Sequence, residues 1–121
     1  MKNLRKAAAL AALVFGLAAG TTVNAAEYAP LNCAAARTPT ERAICSSDAL
    51  GRLEARMATL YQWTTTLVGM GQRGDIVDSQ RAFIRRREAC GAAVACISNA
   101  YGVRIGELEA VMRGIASRGP F

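Results

Sequence analysis

Histidine is absent from all 121 residues, and lysine occurs only at Lys2 and Lys6, so beyond residue 25 every cation is an arginine. The missing imidazole removes the side chain that most often serves as a base near neutral pH. It also removes the commonest partner of cysteine in zinc sites. No glycine-rich phosphate loop follows a strand pattern, and no nucleophile elbow occurs. The longest apolar run, residues 7–19, is about 13 residues long, short of the roughly 20 that a spanning helix needs. Together these absences predict a non-enzymatic chain with no catalytic residues, no metal, no cofactor and no membrane span.

What is present begins with a leader pattern. Lys2, Arg5 and Lys6 form a basic head, the apolar run follows, and Val23-Asn24-Ala25 supplies a small-residue exit. This three-part layout predicts a signal peptide over residues 1–25, cleaved after Ala25, and a periplasmic or secreted product. The remaining residues 26–121 are enough for one domain. They carry twelve arginines against nine carboxylates, a net charge of about +3. An exported chain so mildly basic and without lysine is a poor nucleic-acid binder, and none is expected as a partner.

All four cysteines, Cys33, Cys45, Cys90 and Cys96, lie in the exported part. An even number in a small domain of an oxidising compartment reads as a disulfide framework. Cys90 and Cys96 enclose five residues, wider than the two to four usual between zinc ligands. The preferred pairing is Cys33 with Cys45 and Cys90 with Cys96; the crossed pairings, which would tie the first helix to the far hairpin, stay open at the level of sequence.

Helical signals fill the rest. Thr38-Pro39-Thr40-Glu41 reads as a capping box with proline at the first helical position, opening a short helix that runs to about Cys45. Ser46-Ser47-Asp48 restarts the chain. Leu50, Leu53, Met57, Leu60, Thr64 and Leu67 then recur at three- and four-residue steps, one apolar stripe of a long second helix. Gly69, Gly71 and Gly74 are expected to form a loop, followed by a third helix from about Asp75 to Cys90 that Gly91 ends. A fourth starts near Val94. The pattern predicts an all-α fold: a small antiparallel bundle of three long helices plus one short N-terminal helix, stapled by two disulfides.

The anomaly lies inside the stripes. Gln80, Phe83 and Arg87 share a face of the third helix, Tyr101 and Arg104 a face of the fourth, and Glu54 joins Leu50 and Met57 on the second. A buried guanidinium persists only when paired and hydrogen-bonded. A polar network is therefore expected to join Arg87 and Arg104 to Glu41 or Glu54, with Gln80 and Tyr101 as further members. An internal brace that fixes helix register is the preferred reading over a charged ligand pocket. Trp63 and Phe83 are expected to be packing residues. Arg81, Arg85 and Arg86 form an exposed basic edge, partly explained by the macrodipole at a helix C-terminus. Asp75 and Asp78, in the glycine-bearing stretch 69–78, are the candidate acidic contacts of a loop-borne plug.

The order Asn32-Cys33-Ala34-Ala35-Ala36, Thr38, Glu41-Arg42-Ala43-Ile44-Cys45, Leu50, Leu53-Glu54 and Tyr61 resembles the LprI-type lysozyme-inhibitor domain family, formerly a domain of unknown function. Gln80-Arg81, Phe83, Arg87, Cys90, Cys96, Tyr101, Arg104-Ile105 and Leu108 continue the likeness, which spans residues 32–108. Phe83 stands where the family pattern has tryptophan and Glu54 where it has aspartate. The resemblance implies an exported, cysteine-bridged helical domain whose partner is an envelope protein of the lysozyme or related cell-wall hydrolase type. The alternative expectation is an envelope module that meets an anionic partner through the arginine-rich helix face.

Overall fold

The computed structural model describes residues 30–119; the leader over residues 1–25 lies outside the described residues. A single 3-10 turn (Cys33–Ala35) leads into α1 (Pro39–Ser46), α2 (Asp48–Leu67), α3 (Met70–Glu88) and α4 (Val94–Ala116). Each boundary has a chemical cause. Thr38 Oγ1 accepts from the Glu41 amide at 3.0 Å, and Glu41 Oε2 accepts from the Thr38 amide at 3.4 Å, closing the capping box around Pro39. Ser47 Oγ accepts from the Leu50 amide at 3.3 Å and opens α2. Arg73 folds back, its Nε donating to the Thr65 carbonyl at 2.6 Å and its Nη2 to the Val68 carbonyl at 3.4 Å, which satisfies carbonyls that the end of α2 leaves open. Beyond α3, Gly91 takes the left-handed conformation at φ +57°, where a Cβ would be strained.

The three long helices run antiparallel in succession. Glu54 and Met57 of α2 meet Arg87 and Gln80 of α3 in reverse order. Arg87 and Gln80 in turn meet Tyr101 and Arg104 of α4. This leaves α2 and α4 parallel and in the most extensive contact of any helix pair. The core they enclose includes Leu50, Met57, Phe83, Ile97, Tyr101 and Leu108, with Ile44 of α1 closing one end. Both disulfides join the sequential pairs, Cys33 to Cys45 and Cys90 to Cys96, with Cα separations of 5.6 Å. The all-α architecture and the staples are those the sequence pattern predicts.

Two expectations fail. The stretch around Gly71 and Gly74 is no loop, because α3 starts at Met70 and runs straight through both. The turn is instead confined to Val68 and Gly69, since Arg73 and the packing of Val68 hold the helices close. The inward face of α2 is also rotated from the leucine line. Glu54, Tyr61 and Val68 are buried, whereas Leu67 and Trp63 are 49% and 55% exposed. Trp63 is therefore no packing residue, while Phe83 at 0% exposure is. The rotation follows from the polar residues, which need internal partners more than the flanking leucines need complete burial.

Gly74 has open space where a Cβ would stand. Glycine inside a helix costs about 0.5–1 kcal/mol relative to alanine. The Gly74→Ala variant should gain up to about that amount in urea denaturation, and a loss would show that the helical start of α3 is not its solution state.

Candidate functional site

Two polar clusters cross the core. In the first, Glu54 Oε2 accepts from the Tyr101 hydroxyl at 2.5 Å and stands 3.6 Å from Arg87 Nη1, while Oε1 accepts from the Leu31 amide at 2.8 Å. Arg87 Nη1 also donates to the Tyr101 oxygen at 3.3 Å, and Nη2 to Glu88 Oε1 at 3.0 Å. Phe83 lies under the guanidinium, 5.8 Å from ring centre to Cζ, and tilts against Tyr101 at 5.4 Å. Arg87 Nε has no hydrogen-bond partner among the described residues. In the second cluster Arg104 donates from Nε to Gln80 Oε1 at 2.8 Å. Its Nη1 donates to Ser79 Oγ at 3.0 Å and Glu107 Oε2 at 2.9 Å, and Nη2 to the Ile76 carbonyl at 3.2 Å. Gln80 completes the link to α2 by donating from Nε2 to Met57 Sδ at 3.2 Å.

The arginines, Glu54, Gln80 and Tyr101 thus meet as the sequence suggests, but in two clusters rather than one network. Glu41 belongs to neither. Its carboxylate is spent on the amides of Arg37 and Thr38, so the cap claims it before any guanidinium can. The carboxylates missed were Glu88 and Glu107, which lie next to or one turn from the arginine they serve. Glu107 is legible from its i, i+3 spacing, whereas Glu88 is not, because adjacent positions on a helix do not ordinarily face each other. Thr40 was also missed; its hydroxyl donates to the Gly91 carbonyl at 2.6 Å and pins α1 to the turn before α4.

Electrostatics follow the burial. Desolvation and the neighbouring Glu54 carboxylate push the Tyr101 phenol well above its usual range, and Arg87 offsets only part of this. For Arg87, burial opposes the charge, but Tyr101, Glu88 and Glu54 outweigh it and hold the guanidinium more firmly protonated than usual. Burial lowers Arg104, with Glu107 opposing and Arg86 reinforcing the shift. A tyrosine held protonated by the fold contributes stability below the unfolded value of about 10, and that contribution falls as pH rises past it. Stability measured by urea denaturation should therefore decline above about pH 10, more steeply for the parent than for Tyr101→Phe. The Tyr101→Phe variant should also start lower at pH 7, by about 1–3 kcal/mol, because Glu54 loses a buried donor.

Around the clusters lie two surface grooves. One, of about 450 Å³, runs between the lead-in at Leu31, α1 and the start of α2, with Glu54 in its wall. The other, of about 400 Å³, lies between α3 and α4 and is lined by Gln72, Asp75, Ile76, Ser79, Arg104, Glu107, Leu108 and Val111. Ile76, Leu108 and Val111 give it apolar surface, Arg104 is part of its lining, and Asp75 and Glu107 bring carboxylates to it. Asp78 is exposed close by, 3.2 Å from Arg81. Of the basic edge, Arg81 is thus paired with Asp78, and Arg86 stands 3.9 Å from Glu107. Arg85 is exposed and forms no ion pair among the described residues. No group of acids and cysteines that could hold a metal ion occurs among the described residues, and no helix among them is long and apolar enough to cross a membrane.

No protein-family model, no curated protein and no solved structure matches this chain.

Proposed function

We propose that the protein is an exported, non-enzymatic binding protein whose partner is a lysozyme-type or related cell-wall hydrolase, met at the groove between α3 and α4. Export is supported by the leader pattern of residues 1–25 and by two disulfides, which persist in oxidising compartments. The partner class is supported by the LprI-type likeness of residues 32–108.

The observation that carries the site is the pairing of apolar lining with an unpaired carboxylate in the groove. Ile76, Leu108 and Val111 offer contact area, and Asp75 offers charge complementary to a basic protein. Asp75 forms no ion pair among the described residues, so its charge is available. The Arg104 cluster keeps the two helices in one spacing, which lowers the ordering cost of binding. The plug is a helical edge, not the loop expected over residues 69–78. The alternative partner, an anionic surface met by Arg81, Arg85 and Arg86, has less support, because Asp78 and Glu107 already neutralise two of the three.

The test is a turbidity assay of cell-wall lysis with lysozymes of several types. The oxidised protein should slow lysis at micromolar excess, and Asp75→Arg should weaken that effect about tenfold by placing like charge at the contact. Lysis unaffected by the parent removes the hydrolase reading, and equal potency of Asp75→Arg removes the groove.

A further inference from the structure

The end of the bundle away from the disulfides carries a feature that neither the brace nor the groove uses. Trp63, Leu67 and Met70 are 55%, 49% and 83% exposed. Trp63 and Leu67 are one helical turn apart on α2, and Met70 is the first residue of α3 just beyond the turn. Scattered exposed apolar residues are ordinary on a protein surface, but three large ones between positions 63 and 70 are not explained by packing. None of the three lines either of the two grooves described above.

Charge at this end has one predominant sign. Because α2 and α4 run parallel, the last turns of both come to the same end, together with the first turn of α3. The segments 62–75 and 111–119 carry Arg73, Arg113 and Arg118 against a single carboxylate, Asp75. Arg113 and Arg118 are exposed and unpaired among the described residues. The other polar residues of the segment 62–72 are uncharged: Gln62, Thr64, Thr65, Thr66 and Gln72. Arg73, bonded to the Thr65 and Val68 carbonyls, fixes the turn so that the tip is presented in one geometry.

We infer that this end of the bundle docks on an anionic lipid surface, with Trp63, Leu67 and Met70 entering the headgroup boundary and the arginines meeting the phosphates. An exposed apolar tip needs no matching cavity in a fluid interface. Tryptophan is favoured at that depth, where its ring is apolar and its N–H finds an acceptor. So small an apolar area gives only weak binding by itself, and the positive charge supplies the second attraction that a stable association requires. This surface is separate from the α3–α4 groove and does not depend on the hydrolase reading.

Trp63 is the only tryptophan, so its emission reports on the tip alone. The full-length chain is mixed with vesicles of phosphatidylcholine, or of phosphatidylcholine and phosphatidylglycerol, with and without bromine-labelled acyl chains. The apolar run of residues 7–19 could enter lipid by itself, so quenching at Trp63, and not co-sedimentation, is the readout. Anionic vesicles should shift the emission to the blue, and brominated lipid should quench it. High salt should reverse both changes. Met70→Ser should weaken the effect roughly tenfold and Arg113→Gln about fivefold, the second from the loss of one charge near the surface. The residues changed are exposed, and circular dichroism checks that the helices persist. Equal response to neutral vesicles, no response to anionic ones, or quenching unchanged in Met70→Ser would overturn the docking surface. So would a concentration-dependent blue shift without lipid, which would mark a contact between two copies.

Discussion

Arg87→Met should lower stability by about 3–5 kcal/mol, the largest loss from any single polar substitution in this chain. The reason is what remains behind. Glu54 is 6% exposed, and without Arg87 its charge would keep only the Tyr101 hydroxyl and the Leu31 amide. A carboxylate so placed retains its desolvation cost and loses the charge that offsets it. Changing both partners, as Glu54→Gln with Arg87→Met, should therefore cost less than the sum of the two single changes, by about 0.5–3 kcal/mol. Arg104→Met is the comparison. Its carboxylate partner, the Glu107 side chain, is 45% exposed and returns to water when the arginine goes, so the loss should be smaller. Urea denaturation of the four variants measures all of this, and a loss for Arg87→Met no larger than for Arg104→Met would contradict the account.

The contrast between the two arginines also explains which parts of the molecule the sequence makes legible. Signals written in a few adjacent residues are read correctly. Thr38 with Glu41, Ser47 before Asp48 and Gly91 after α3 each place a helix end within a residue or two, because capping is local chemistry. Burial of Arg87, Arg104 and Tyr101 is legible too, since heptad spacing puts them among apolar neighbours. The partners of these residues are less so. Glu41 and Glu54 are equally plausible from spacing, and only the cap geometry shows that Glu41 is already committed.

Glycine misleads for a related reason. Gly71 and Gly74 weaken a helix without forbidding one, and tertiary contacts of Ile76 and Val68 outweigh that weakness. The same error hides the groove's character. With α3 taken to begin near Asp75, Asp75 and Asp78 sit at the edge of a glycine loop. With α3 beginning at Met70 they stand on a rigid helix, and Asp75 joins Glu107 of α4 in the groove. The stripe of α2 holds at Leu50, Met57 and Thr64, and the inward turn of Glu54 beside them is legible from spacing; the exposure of Trp63 and Leu67 is not.

The second large effect is expected at the disulfides, and it should differ between them. Replacing Cys33 and Cys45 by serine opens a loop with sequence separation 12, and replacing Cys90 and Cys96 opens one with separation 6. Chain entropy alone assigns about 3 and about 2 kcal/mol to these closures. The native contacts widen the gap. The turn closed by Cys90 and Cys96 is held independently by Gly91 in its left-handed conformation and by the Thr40 hydroxyl on the Gly91 carbonyl. The lead-in ahead of the capping box relies on the 3-10 turn, the partly buried Leu31 and the bond from the Leu31 amide to Glu54. Opening Cys33–Cys45 should free this segment, wet the Glu54 carboxylate and speed hydrogen exchange at Leu31, whereas opening Cys90–Cys96 should leave Leu31 protected. Removing both bridges should cost about 5 kcal/mol, comparable to the whole stability of many small domains. Reduction under otherwise native conditions should then unfold the chain, as read by far-ultraviolet circular dichroism. A bundle that stays helical and equally resistant to urea with all four thiols free would show that the packed core and its two buried arginines suffice without staples.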